Sequence, residues 1–75
     1  MDWREHIVVD AGRQGGQPCM RGTRIPVHGI LDNLAVGESE ATILAEYSSL
    51  TRAHIRASLA FAAKLAHDRI VTIPA

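Results

Sequence analysis

The sequence predicts a small, mainly α-helical domain in which a short β-strand and a β-hairpin precede three helices. The 75-residue chain is 47% hydrophobic but only 4% aromatic, so its core must consist mainly of aliphatic side chains. Before Pro26 the apolar residues form short runs bounded by glycines and prolines, which is typical of strands and turns. After Pro26 they recur every three or four residues, which indicates helices.

A chain of this length holds one domain. We therefore treat residues 1–75 as a single domain, with a strand and hairpin over residues 7–27 and a three-helix unit over residues 27–71. Because so small a domain has a limited core, dimerisation would add apolar burial that the monomer lacks.

The β part is predicted from two segments. Residues 7–9 are three consecutive β-branched residues that end before Asp10 and the following glycines, which indicates a strand. In residues 17–27, short apolar flanks enclose Gly22, which predicts a tight hairpin. Gly22 allows a positive φ at the turn, and Thr23 can hydrogen-bond to the loop backbone.

The first helix is predicted from an apolar stripe of Val27, Ile30, Leu31 and Leu34, and Gly37 ends it. The second helix begins after Ser39, a good N-cap, and ends near Tyr47. Thr51 is a second cap, and no glycine or proline follows it before Pro74. The third helix is therefore expected to be long, about 18 residues.

The third helix is expected to pack through one face and to present cations on another. Its apolar face comprises positions spaced by three or four, namely Ile55, Leu59, Ala62, Ala66 and Ile70. Arg52, Arg56 and Lys64 lie off that face. Residues 71–73 are β-branched and stand before Pro74, which favours an extended tail.

The charges are segregated although the formal net charge is zero. Residues 11–31 contain three arginines and no acid: Arg13, Arg21 and Arg24. Residues 32–46 contain four acids and no Lys or Arg: Asp32, Glu38, Glu40 and Glu46. Residues 52–69 are again mainly basic. This layout suits one anionic and one basic partner. The simpler alternative is that each charged block is only a solvated face of the domain.

The sequence lacks a recognisable catalytic or metal-binding constellation, so we expect no enzyme, no cofactor and no metal site. The four histidines are separated by 22, 26 and 13 residues, so no two lie one helical turn apart. Cys19 has no partner for an internal disulfide, and a structural role is expected for it. Met1 leads into charged residues and no 18-residue apolar run follows, so a cytoplasmic protein without membrane contact is expected.

The second and third helices, joined by a brief turn, form the arrangement that presents a recognition helix to the DNA major groove. Arg52, His54 and Arg56 would lie at the exposed start of that helix, where guanidinium groups can reach phosphates or guanine. These three residues are the main candidates for DNA binding. A plain helical hairpin with solvated arginines is the alternative.

The chain also resembles a bacterial family of domains of unknown function, number 433, over roughly residues 7–66. The likeness is carried by the stretch Gly16-Gln17-Pro18-Cys19-Met20-Arg21-Gly22-Thr23-Arg24-Ile25-Pro26-Val27 and by apolar positions in the helices. The resemblance implies a homeodomain-like helical fold after a β segment and a role as antitoxin beside a PIN-like nuclease. Ala11, Cys19 and Ser48 depart from the residues usual in the family.

The hairpin arginines allow two interpretations. Arg24 can bind a helix C-terminus or an acid, which is structural. Alternatively, Arg21 and Arg24 form a basic tip that contacts the DNA backbone or an acidic site of a nuclease partner.

Together with what the resemblance implies, these patterns predict a homodimeric antitoxin that binds double-stranded DNA at its own promoter and neutralises a nuclease-like toxin. In the dimer, residues 7–9 and the hairpin would form an intersubunit sheet. The alternative is a protein-interaction module without DNA contact, acting through the acidic segment 32–46 or through residues 71–73 added as a strand.

Overall fold

The computed structural model describes residues 1–12 and 14–68. A two-stranded antiparallel sheet precedes three helices, which confirms the predicted fold class. The strands are β1 (Ile7–Val8) and β2 (Cys19–Met20), and the helices are α1 (Val27–Ala35), α2 (Glu40–Glu46) and α3 (Arg52–Asp68). Two short 3-10 turns, Trp3–Glu5 and Gln14–Gly16, complete the order of elements.

The sheet pairs β1 with β2, so that Ile7 lies opposite Met20 and Val8 opposite Cys19. The second arm of the predicted hairpin forms only an isolated bridge between Cys19 and Pro26. A proline has no N–H to donate, so the ladder cannot continue along that arm. The strand β1 was expected to contribute to an intersubunit sheet. Within its own chain it pairs with β2.

The turn at Gly22 follows the prediction. Gly22 has a φ of 79°. The Thr23 hydroxyl donates to the Met20 carbonyl at 2.9 Å and accepts the Ile25 N–H at 3.0 Å. These bonds satisfy backbone groups that the turn takes out of the ladder.

The helix boundaries also follow from local chemistry. Gly37, at φ 92°, donates to Leu34, and Glu38 donates to Asn33, which together form a Schellman ending to α1. Ser39 caps α2, because its hydroxyl oxygen accepts the Thr42 N–H at 3.1 Å. The predicted signals at Gly37 and Ser39 are confirmed.

The core lies where β1, β2 and the three helices meet, and it is almost entirely aliphatic. Its buried members are Ile7, Met20, Val27, Ile30, Ile43, Leu50, Ile55 and Ala57. Trp3 adds an aromatic edge by meeting the Phe61 ring at a centroid distance of 4.9 Å.

The predicted apolar face of α3 is partly wrong. Ile55 is buried, but Leu59 is 47% exposed and Ala66 is exposed, whereas Ser58 is fully buried. The Ser58 hydroxyl donates to the His54 carbonyl at 2.9 Å and lies 3.7 Å from the Met20 sulfur, so its polarity is satisfied inside the core. Successive helical residues are turned by about 100°, so burying Ser58 turns Leu59 outward. Ile70 and the proposed tail at 71–73 lie outside the described residues.

Candidate nucleic-acid interface

The short connection between α2 and α3 is held by the core. Leu50 is buried and donates its N–H to the Tyr47 carbonyl at 2.9 Å. Ile43 of α2 and Ile55 of α3 belong to the same apolar cluster. The start of α3 is thus fixed relative to α2.

One face of α3 carries two arginines followed by apolar residues. Arg52, Arg56, Leu59 and Ala63 are all exposed and occupy positions i, i+4, i+7 and i+11 of the helix. Residues at this spacing line up along a single face. We call these four residues the Arg52 face.

The two arginines differ in their surroundings. The Arg52 Nε lies 4.0 Å from a carboxylate oxygen of Glu40, and its side chain is 69% exposed. Such a surface pair contributes about 0–1 kcal/mol, so a competing anion can release the guanidinium. Arg56 is exposed, and within residues 1–12 and 14–68 it forms no ion pair.

His54 has a capping position at the start of α3. Its Nδ1 accepts the Thr51 N–H at 3.0 Å and lies 3.1 Å from the Thr51 hydroxyl, so the ring takes the place of the Glu in a capping box. Its ring also meets His6 edge-on at a centroid distance of 5.4 Å. Burial, and then the charge of His6, lower the pKa of His54. The histidine therefore adds little positive charge at neutral pH, and only its other ring nitrogen remains for a ligand.

The hairpin arginines are held separately from the Arg52 face. Arg21 donates a guanidinium hydrogen to the Arg4 carbonyl at 2.8 Å, and its backbone N–H donates to the His6 carbonyl at 2.8 Å. Because His6 contacts His54, Arg21 is linked to the start of α3 through one residue. Arg24 is exposed and lines a polar hollow of about 290 Å³ together with Asp10 and Thr23.

A second surface was not predicted from the sequence. An apolar groove of about 320 Å³ lies between α1 and the second half of α3, with Pro18, Val27, Leu31, Phe61 and Leu65 among its lining residues. The spacing of Phe61 and Leu65, one turn apart, is a signal that could have indicated it.

The fold and these surfaces define a small, mainly helical domain with an exposed basic helix face. The chain belongs to the family described as "Protein of unknown function (DUF433)", whose model matches residues 7–62. That span contains both strands, α1, α2 and the first two-thirds of α3. Comparisons with curated proteins and with solved structures gave no match. Over the described residues, no helix has the length and apolarity needed to cross a membrane.

Proposed function

We propose that the protein is a DNA-binding antitoxin that represses its own promoter as a homodimer and neutralises a nuclease-like toxin of the PIN-like kind. The observation that carries the DNA-binding part is the exposure of Arg52 and Arg56 on one face of α3, directly after a turn fixed by the core. The antitoxin part rests on the family resemblance described above.

The dimensions of α3 suit this role. A helix with its side chains is about 10–12 Å wide, and the major groove of B-DNA is about 12 Å wide. Arg52 and Arg56 are separated by about 6 Å along the helix axis, so together they span about two base-pair steps. A homodimer would place two such helices on the halves of a palindromic site.

The zero net charge agrees with this proposal if binding depends on a few local contacts. Within residues 52–65 of α3, the charged residues are all basic: Arg52, Arg56 and Lys64. Glu40 partly offsets the first of them. We therefore expect modest affinity with a shallow salt dependence, because few phosphates would be neutralised per monomer.

The decisive experiment titrates the full chain against double-stranded DNA from its own promoter at several salt concentrations. The Arg52→Ala/Arg56→Ala variant should bind more weakly, and its log–log salt slope should fall by about 0.9 for each lost phosphate contact. Lys64→Ala is a matched control, because it removes a cation of the same helix that is paired with Asp68 at 3.2 Å. Unchanged binding by a double variant with native circular dichroism would refute the assignment.

A protein-interaction module without DNA contact is the second candidate, and the apolar groove favours it. The exposed acids Asp32 and Glu46 suit a basic partner, such as a nuclease whose cleft binds polyanions. Residues 71–73, proposed as an added strand, lie outside the described residues. Co-purification with the product of the neighbouring gene should be reduced by Leu65→Asp and maintained by Lys64→Ala if this candidate is correct.

A further inference from the structure

We propose that Arg56 and Leu59 read bases, so that the DNA half-site contains a G·C pair within one or two steps of a thymine. This inference rests on the proposed function and specifies its ligand. Arg52 and Arg56 differ in one respect that bears on it, since Arg52 lies beside Glu40 while Arg56 has no ion pair within the described residues.

The position of Arg52 beside α2 assigns it to the DNA backbone. Arg52 is the first residue of α3, and its Nε lies 4.0 Å from a carboxylate oxygen of Glu40, the first residue of α2. In a helix-turn-helix the helix before the recognition helix crosses the phosphate backbone. Arg52 is therefore positioned for a phosphate, which fixes orientation without reading sequence.

Arg56, one turn further along, has its planar fork of donors available. The two acceptors of guanine, O6 and N7, match that fork, and this pairing is the commonest specific contact in the major groove. Glutamine lacks the fork and pairs with adenine instead of guanine. Guanine recognition at Arg56 therefore predicts a change of base preference in Arg56→Gln, which the loss of a charge alone would not give.

Leu59 lies about 4.5 Å further along the helix axis, a little more than one base-pair step. Its side chain is 47% exposed although it is apolar. It cannot donate or accept a hydrogen bond, and the C5 methyl group of thymine is the apolar feature that base edges present in the major groove. Ala63, the next residue of the face, is small and leaves room for the groove wall.

The test is a selection of double-stranded DNA from a random library with the full chain, followed by titration of the selected site. The wild-type chain should select guanine, with thymine one or two steps away. Arg56→Gln should lose about 5- to 150-fold in discrimination at the guanine while still binding DNA. Leu59→Ala should lose the preference for thymine.

Two modified probes repeat the test on the unaltered protein, so that the result does not depend on a variant folding. Replacing the selected guanine by 7-deazaguanine removes the N7 acceptor and should weaken wild-type binding but leave Arg56→Gln little affected. Replacing the thymine by uracil removes the methyl group and should weaken wild-type binding about fourfold, with no effect on Leu59→Ala.

The possible failures are distinguishable. Absence of DNA binding even at low salt would overturn the proposed function and this inference with it. Binding without selection of guanine and thymine would overturn this inference alone, as would selection that persists in both variants. Capture of a protein partner through Leu59, lost in Leu59→Ala while DNA binding is unchanged, would also overturn it.

Discussion

The two halves of α3 differ in how the domain uses them. The first half, residues 52–58, buries Ile55, Ala57 and Ser58 against the sheet and the other helices. In the second half, residues 59–68, no residue is buried, and both Leu59 and Leu65 are about half exposed. The first half therefore fixes the helix in the fold, and the second half, in which Phe61 still packs at the edge of the core, leaves more apolar surface exposed. The arginines of the Arg52 face lie in the half that is held rigid, which suits a recognition surface.

Truncating one large aliphatic residue in each half should give the largest contrast. Ile55→Ala should lower the free energy of unfolding by about 2–5 kcal/mol, because it opens a cavity in the core. A core this small supplies about 3–5 kcal/mol in total, so the variant should lose a large part of the domain's stability. Leu65→Ala should cost less than about 1 kcal/mol. Urea titrations monitored by circular dichroism measure both values, and equal losses would show that the second half is part of the core.

Substitutions at the boundary between the two halves of α3 are expected to give the next largest difference in stability. Ser58→Leu should destabilise the domain by about 1–3 kcal/mol, since a larger side chain cannot fit beside the Met20 sulfur. Leu59→Ser, at the adjacent exposed position, should change stability by less than about 0.5 kcal/mol. Thermal melting of the two variants gives the comparison. A stabilising Ser58→Leu would mean that α3 is rotated to the register that hydrophobic spacing alone predicts.

Acidification should lower the free energy of unfolding through His54, which caps the first half of α3. Because the pKa of His54 is lowered in the folded state from its ordinary value of 6.5, the unfolded chain binds more protons between the two values. Stability therefore falls as the pH decreases from the ordinary pKa to the lowered one, and it is unaffected by His54 at still lower pH. The slope is at most about 1.4 kcal/mol per pH unit for one proton. His54→Gln retains a capping side chain but cannot titrate, so its stability should depend less on pH.

Comparison at pH 8 is the control for that variant, since His54 is neutral there and the two chains should be similarly stable. Nuclear magnetic resonance titration of the His54 ring measures its pKa directly. A value above 6.5 would reverse the expected sign of the effect.

The sequence predicted the features that depend on a few neighbouring residues. The turn at Gly22, the ending at Gly37 and the cap at Ser39 each require one residue type in one backbone geometry, so short motifs identify them. Arg52 and Arg56 were also expected to be exposed, because they lie off any apolar stripe of α3.

Other features depend on residues far apart in the chain. Ser58 is polar, so spacing arguments excluded it from the core, and its contact with Met20, 38 residues away, is not visible in any local pattern. His6 and His54 are similarly distant, and no local pattern indicated that their rings meet. The groove beside Phe61 requires the packing of α1 against α3, which periodicity within one helix does not specify.

The smallest expected effect concerns the acid that faces the first half of α3. Glu40→Gln removes the carboxylate beside Arg52 without changing its size, which frees the guanidinium and removes a charge that repels phosphates. Affinity for promoter DNA should rise by about two- to fivefold, as expected for the loss of one surface ion pair. Glu46→Gln, near the end of α2, is the matched control, because it gives the same change in net charge without a contact to Arg52. A gain limited to Glu40→Gln would tie the DNA to the Arg52 face. An equal gain in both variants would indicate only a general effect of charge.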